Sequence, residues 1–186
     1  MIEKISALFA SYLCKKSGTE ISKTEHEILQ YGLECIINTY IPIIFFVIYA
    51  CSSKMLLEMI TWLLTFLFYR NLIGGYHAST HIRCILLSTL YGLLSIHFIK
   101  SISYVAVQYK AMLIAIIFIY HIFMKPLIHH AENINQRYIK RCKIKILFFL
   151  SIAGICISVF YSFIPSIINS IFMGIISAEF LFLIAS

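Results

Sequence analysis

Ile146-Leu147-Phe148-Phe149-Leu150-Ser151-Ile152-Ala153-Gly154-Ile155-Cys156-Ile157-Ser158-Val159-Phe160-Tyr161-Ser162-Phe163-Ile164 contains no Asp, Glu, Lys, Arg or His. As a helix rising about 1.5 Å per residue, it nearly crosses a hydrocarbon layer about 30 Å thick. Lys143 and Lys145 stop just short of it, and Pro165 follows it directly. Five further apolar runs flank this one, at 35–50, 55–69 (interrupted by Glu58), 85–99, 111–124 and 167–185. Some fall short of the about 20 residues that a perpendicular span needs, so the first two or the fourth are candidates for tilted or re-entrant segments. The expected fold is all-α: a polytopic integral membrane protein of about six transmembrane or partly re-entrant helices. Four crossings with two half-inserted segments is the alternative count.

Composition supports the same class. Hydrophobic residues make up 61% of the chain and charged residues 12%, against about 45–50% and about 25% in soluble domains. So few charges could not cover a soluble exterior of this size. With the N-terminus inside, segments 1–34, 70–84 and 125–145 hold 12 of the 15 Lys and Arg, leaving only Lys54, Lys100 and Lys110 outside. That bias predicts cytoplasmic termini. It also accounts for the net charge of +7 through topology and attraction to anionic lipid, with no nucleic acid involved.

Residues 1–34 precede the first span and lack a convincing signal-peptide cleavage site. Ile2, Ile5, Leu8, Phe9 and Tyr12 share one helical face, which predicts an amphipathic interfacial helix ending near Gly18. Ser22 and Glu25 have the spacing of a capping box that opens a second helix carrying Glu25, Glu27 and Glu34. The domain reading is thus 1–34 cytoplasmic helices and 35–186 a transmembrane domain. The latter bears a cytoplasmic loop at 70–84 and a basic cytoplasmic loop at 125–145. Pro42 is expected to kink the first span, Pro126 to mark the exit from the fourth, and Pro165 to start the sixth helix.

The six cysteines, at 14, 35, 51, 84, 142 and 156, form no CxxC pair and suggest small apolar fillers rather than disulfides or a zinc site. Cys84 differs in its company. It closes the stretch Arg70-Asn71-Leu72-Ile73-Gly74-Gly75-Tyr76-His77-Ala78-Ser79-Thr80-His81-Ile82-Arg83-Cys84. Two glycines permit a sharp turn, and His77, His81 or Arg83 could take the thiol proton or stabilise the thiolate. His77, His81 and Cys84 also have zinc-compatible spacing on a helix. However, the chain has no Asp and no HExxH motif, so no metal or other cofactor is expected.

These residues resemble the accessory gene regulator protein B family, membrane cysteine endopeptidases that process precursors of cyclic quorum-sensing peptides. The match lies in Arg70, Gly74-Gly75-Tyr76-His77-Ala78 and Cys84, with Tyr31-Gly32-Leu33-Glu34 before the first span. Lys125-Pro126-Leu127-Ile128-His129-His130 resembles the family's Ala-Pro loop, with lysine in place of alanine. The resemblance implies that Cys84 is the nucleophile and His77 its base, acting on a small precursor peptide in a bacterial cell membrane. It further implies an acyl-enzyme thioester and closure of a thiolactone or lactone ring. Membrane lipid is an expected partner, and a homodimer is kept among the candidates.

Geometry adds a condition to that assignment. On a straight helix His77 would lie about 10.5 Å from Cys84 along the axis, and His81 would be the nearer base. Assigning His77 therefore predicts a broken segment, with Gly74 and Gly75 turning the chain and the third span starting near His81. His81 is then an interfacial or substrate-contacting residue. Arg70 reads equally as an anchor for a substrate carboxylate or as a helix-end charge, and Arg83 reads better as a headgroup contact than as a thiolate partner. Glu34, Glu58, Ser79 or a backbone carbonyl could orient His77. Glu58 itself suits a cap or the interface, His97 the far interface, and His121, His129 and His130 headgroup or precursor contacts. The competing class is a small membrane transporter or an assembly subunit. A transporter predicts ionisable residues buried within the spans, and the apolar span centres argue against it.

Overall fold

A computed structural model describes residues 2–17, 22–74, 80–124 and 136–185. Among them the structure is helical: α1 (Ile2–Ser17), α2 (Lys23–Ser53), α3 (Leu56–Ile73), α4 (His81–Ser101), a 3-10 turn (Ile102–Tyr104), α5 (Val107–Phe123), α6 (Gln136–Phe160) and α7 (Pro165–Ala185). Five of these helices are long and apolar enough to cross a bilayer, namely α2, α3, α4, α6 and α7. The fourth apolar run forms α5, the shorter helix of 17 residues. Large apolar side chains such as Leu64, Leu86, Phe148 and Ile155 point outward along the spans. In a membrane these meet hydrocarbon, while each helix satisfies its own backbone. The protein is therefore a multi-pass membrane protein preceded by an N-terminal helix.

Local signals explain where helices begin. Ser22 and Glu25 close the expected capping box: the Ser22 N–H donates to Glu25 Oε2 at 2.8 Å, and the Glu25 N–H donates to Ser22 Oγ at 3.3 Å. Pro165 opens α7, where its missing N–H costs nothing. Pro42 lies inside α2. Gly18, Pro126, His129 and His130 lie outside the described residues, as does most of the 125–145 loop.

The chain forms two compact units, residues 1–49 with 78–92, and residues 50–77 with 93–186. In the first, α1 turns Ser6 and Ala10 inward while Ile5, Leu8, Phe9 and Tyr12 stay exposed. An apolar stripe turned away from the protein is what an interfacial helix presents to lipid.

In the second unit α7 is central: 56% of its most apolar stretch is buried, against 22% for α3 and α6. It lies closely along α3, and Gly174 is the reason. A Cβ at that position would come within 2.8 Å of Thr65 Cβ and 3.0 Å of the Trp62 carbonyl oxygen. Small residues allow such approach where helices pack in lipid. Trp62 is buried there, with its Nε1–H donating to Ser177 Oγ at 3.3 Å and Ser177 donating on to Ser95 Oγ at 3.1 Å.

Two buried polar groups in this unit correct the sequence reading. His121, expected at headgroups or precursor, is 1% exposed, and its Nε2 lies 2.6 Å from Glu179 Oε1. The Tyr69 hydroxyl donates to the same oxygen. Lys110, expected in an outside connection, falls inside α5 because that helix begins at Val107. Its ammonium donates to Asn169 Oδ1 at 2.6 Å and to the Tyr161 hydroxyl at 3.0 Å. The spans are therefore less uniformly apolar than their sequence suggests.

Candidate active site

The candidate residues fall at the end of α3, in the second unit, and at the start of α4, in the first. The Gly74 N–H closes α3 by donating to the Arg70 carbonyl at 2.8 Å, and Gly74 turns away with φ at 85°, a conformation that glycine adopts without penalty. The Arg70 guanidinium stacks over Phe66, 5.7 Å from the ring centroid, which suits a cation at a helix C-terminus. Gly75 and His77 lie outside the described residues.

The chain re-enters the described region at Thr80, which is not helical. Thr80 caps α4: its Oγ1 accepts from the Arg83 N–H at 3.4 Å, and its carbonyl accepts from the Cys84 N–H at 2.9 Å. His81 is the first residue of α4, where the third span was expected to start. Cys84 follows in the first turn as a free, half-buried thiol. Arg83 beside it is exposed.

His81 is drawn into a polar cluster on α2. Its Nε2 lies 3.1 Å from Glu34 Oε2, and its Nδ1 lies 2.8 Å from Asn38 Nδ2. Glu34 is 7% exposed, and its other oxygen accepts from Ser6 Oγ at 2.9 Å and Gln30 Nε2 at 3.0 Å. A buried carboxylate is stable only when saturated with donors in this way. Glu34 and His81 are legible as candidates in sequence, but Ser6, Gln30 and Asn38 are not. Gln30, Glu34 and Asn38 recur every four residues and so stripe one face of α2, a signal that could have linked them. Ser6 carries no such signal, since the chain must fold back for α1 to meet α2.

In the first unit the start of α4 thus carries a thiol in its first turn, beside His81 and the polar cluster that holds it. Such a site can present a nucleophile at the end of a span to a peptide lying along the membrane surface. A family model described as Accessory gene regulator B matches residues 6–184. No curated protein and no solved structure matches the chain significantly.

Proposed function

Because the chain belongs to the accessory gene regulator B family, a membership that supports a role in precursor-peptide processing, we propose that it is a membrane cysteine endopeptidase. Its substrate is a small signal-peptide precursor, from which it removes the C-terminal tail. Cys84 Sγ attacks the carbonyl carbon at the cleavage point while His77 takes the thiol proton. His77 then returns that proton to the leaving amine, the C–N bond breaks, and an acyl-enzyme thioester remains. A thiol or hydroxyl within the bound precursor attacks the thioester next. A thiolactone or lactone ring closes, and the Cys84 thiol regains its proton. Exchange of one thioester for another is nearly balanced in energy, and a nucleophile already held in place has a high effective concentration.

The observation that carries this reading is Cys84 itself, in the first turn of a capped helix that starts at His81 after a glycine turn. A helix N-terminus favours negative charge. Arg70 and Gly74 end α3; Arg83 faces lipid headgroups.

The buried Lys110 and the His121–Glu179 pair are what a transporter would also show. They lie toward the ends of α5 and are hydrogen-bonded with Asn169, Tyr161 and Tyr69, which fits structural anchoring better than a pathway through the span centres. One experiment separates the readings: purified protein in detergent is incubated with a candidate precursor peptide, and the products are weighed. The expected products are the released tail and a cyclic peptide lighter by one water than its linear form. Cys84→Ala is expected to abolish both while remaining inserted at normal abundance. Unchanged processing by C84A would remove the cysteine-protease reading.

A further inference from the structure

His81 is the imidazole nearest to Cys84 along α4, and the structure shows how its ring is used. Asn38 Nδ2 can only donate, so the Nδ1 it meets at 2.8 Å must carry a lone pair. The ring proton is then on Nε2, from which it is given to Glu34 Oε2 at 3.1 Å. Turning the Asn38 amide over would put Oδ1 against an Nδ1–H and make the ring an imidazolium. In neither orientation does His81 keep a free lone pair with which to take the thiol proton.

What the ring does instead follows from its partners. Glu34 is fixed by Ser6 on α1, by Gln30 on its own helix and by His81 on α4. His81 is thus the residue through which the first turn of α4 is fastened to both N-terminal helices. Cys84 lies three residues on, over the same face of that turn. The nucleophile must stand within about 3 Å of its base to transfer a proton, and misplacement by about 1 Å can cost 100-fold.

We propose that His81, held by Glu34 and Asn38, is a positioning residue that fixes the first turn of α4 and hence the Cys84 thiol, and is not itself a base. This rests on the reading of Cys84 as the nucleophile and His77 as its base.

The test is alkylation of Cys84 by iodoacetamide in the full-length protein in detergent micelles. The Cys84-containing peptide is followed by mass spectrometry, and the exposed Cys51 serves as reference thiol. Iodoacetamide needs no substrate pocket, so the rate reports the activation and exposure of the thiol and makes no demand on precursor binding. His81→Ala and Glu34→Ala are each expected to slow Cys84 roughly tenfold, about the value of one net hydrogen bond. The double variant should be no slower than either, because both remove the same contact. His81→Gln keeps a donor toward Glu34 but has no imidazole, and it should restore the rate to within about twofold. A rate for H81Q as low as that of H77A would overturn the inference, since a ring nitrogen would then be needed. So would an unchanged rate in H81A. If H81A fails to insert, H81Q decides alone by the same criterion. H77A controls the underlying reading: an unchanged rate there removes the His77–Cys84 pair whatever His81 does. A slow H77A beside a normal H81A removes only the positioning role.

Discussion

Glu179 is a single carboxylate serving two buried partners, His121 on one helix and Tyr69 on another. In lipid there is no water to replace a lost acceptor, so its truncation strands an imidazole and a phenol together. Glu179→Ala should cost about 3–5 kcal/mol, the usual consequence of removing one partner from a buried pair. Glu179→Gln retains a carbonyl acceptor and should cost clearly less. Thermal unfolding of the detergent-solubilised variants checks the order. Equal losses would mean that the negative charge, and not the hydrogen bonds, holds the three helices together. This triad has no local signature in the sequence. His121 and Glu179 are 58 residues apart, and no local spacing announces their contact. His81 and Glu34 were recognisable as candidates because each stands beside a motif, yet their pairing across two helices was not.

At the scale of elements, helix starts were the most legible feature, because each has a local cause. Ser22 with Glu25 and Pro165 could be read from neighbouring residues, whereas a helix start at His81 followed only from assigning His77 as the base. Helix contacts were less legible, because they depend on side-chain size at points chosen by the fold. Gly174 marks such a point, and it was not singled out in the sequence reading. The atoms that a Cβ there would strike are Thr65 Cβ, Thr65 Cγ2 and the Trp62 carbonyl, none of them the flexible tip of a long side chain. Relief therefore requires α3 and α7 to separate. Gly174→Ala should destabilise by about 1–3 kcal/mol, the range for overpacking. A lower thermal midpoint in detergent, with unchanged helix content by circular dichroism, is the expected result. A midpoint equal to the parent's would show that the two helices can part without loss.

At the scale of the whole molecule, the charges and the helix contacts address orientation independently. Lys54 stands in the turn between α2 and α3, and Lys100 at the end of α4 reaches back to the Ser53 carbonyl at 3.4 Å. The ends of α2 and α4 therefore share one side, as two of the three sparse outside lysines require. Nineteen residues earlier on each helix stand Glu34 and His81, themselves in contact. At 1.5 Å per residue that interval is about 28 Å, close to the hydrocarbon thickness. The positive-inside bias predicts that Glu34, His81 and Cys84 lie on the inside face and that Lys54 and Lys100 lie outside. The basic segment 136–145 that opens α6 supplies five of the twelve Lys and Arg on the predicted inside face. We propose that this face is the cytoplasmic one. In a background without native cysteines, a single cysteine at Lys54 should react with a membrane-impermeant maleimide in intact cells. One near Asn133 should react only after permeabilisation. Labelling near Asn133 in intact cells, with Lys54 protected, would invert the topology and place the Cys84 turn outside, where no cytoplasmic precursor could reach it.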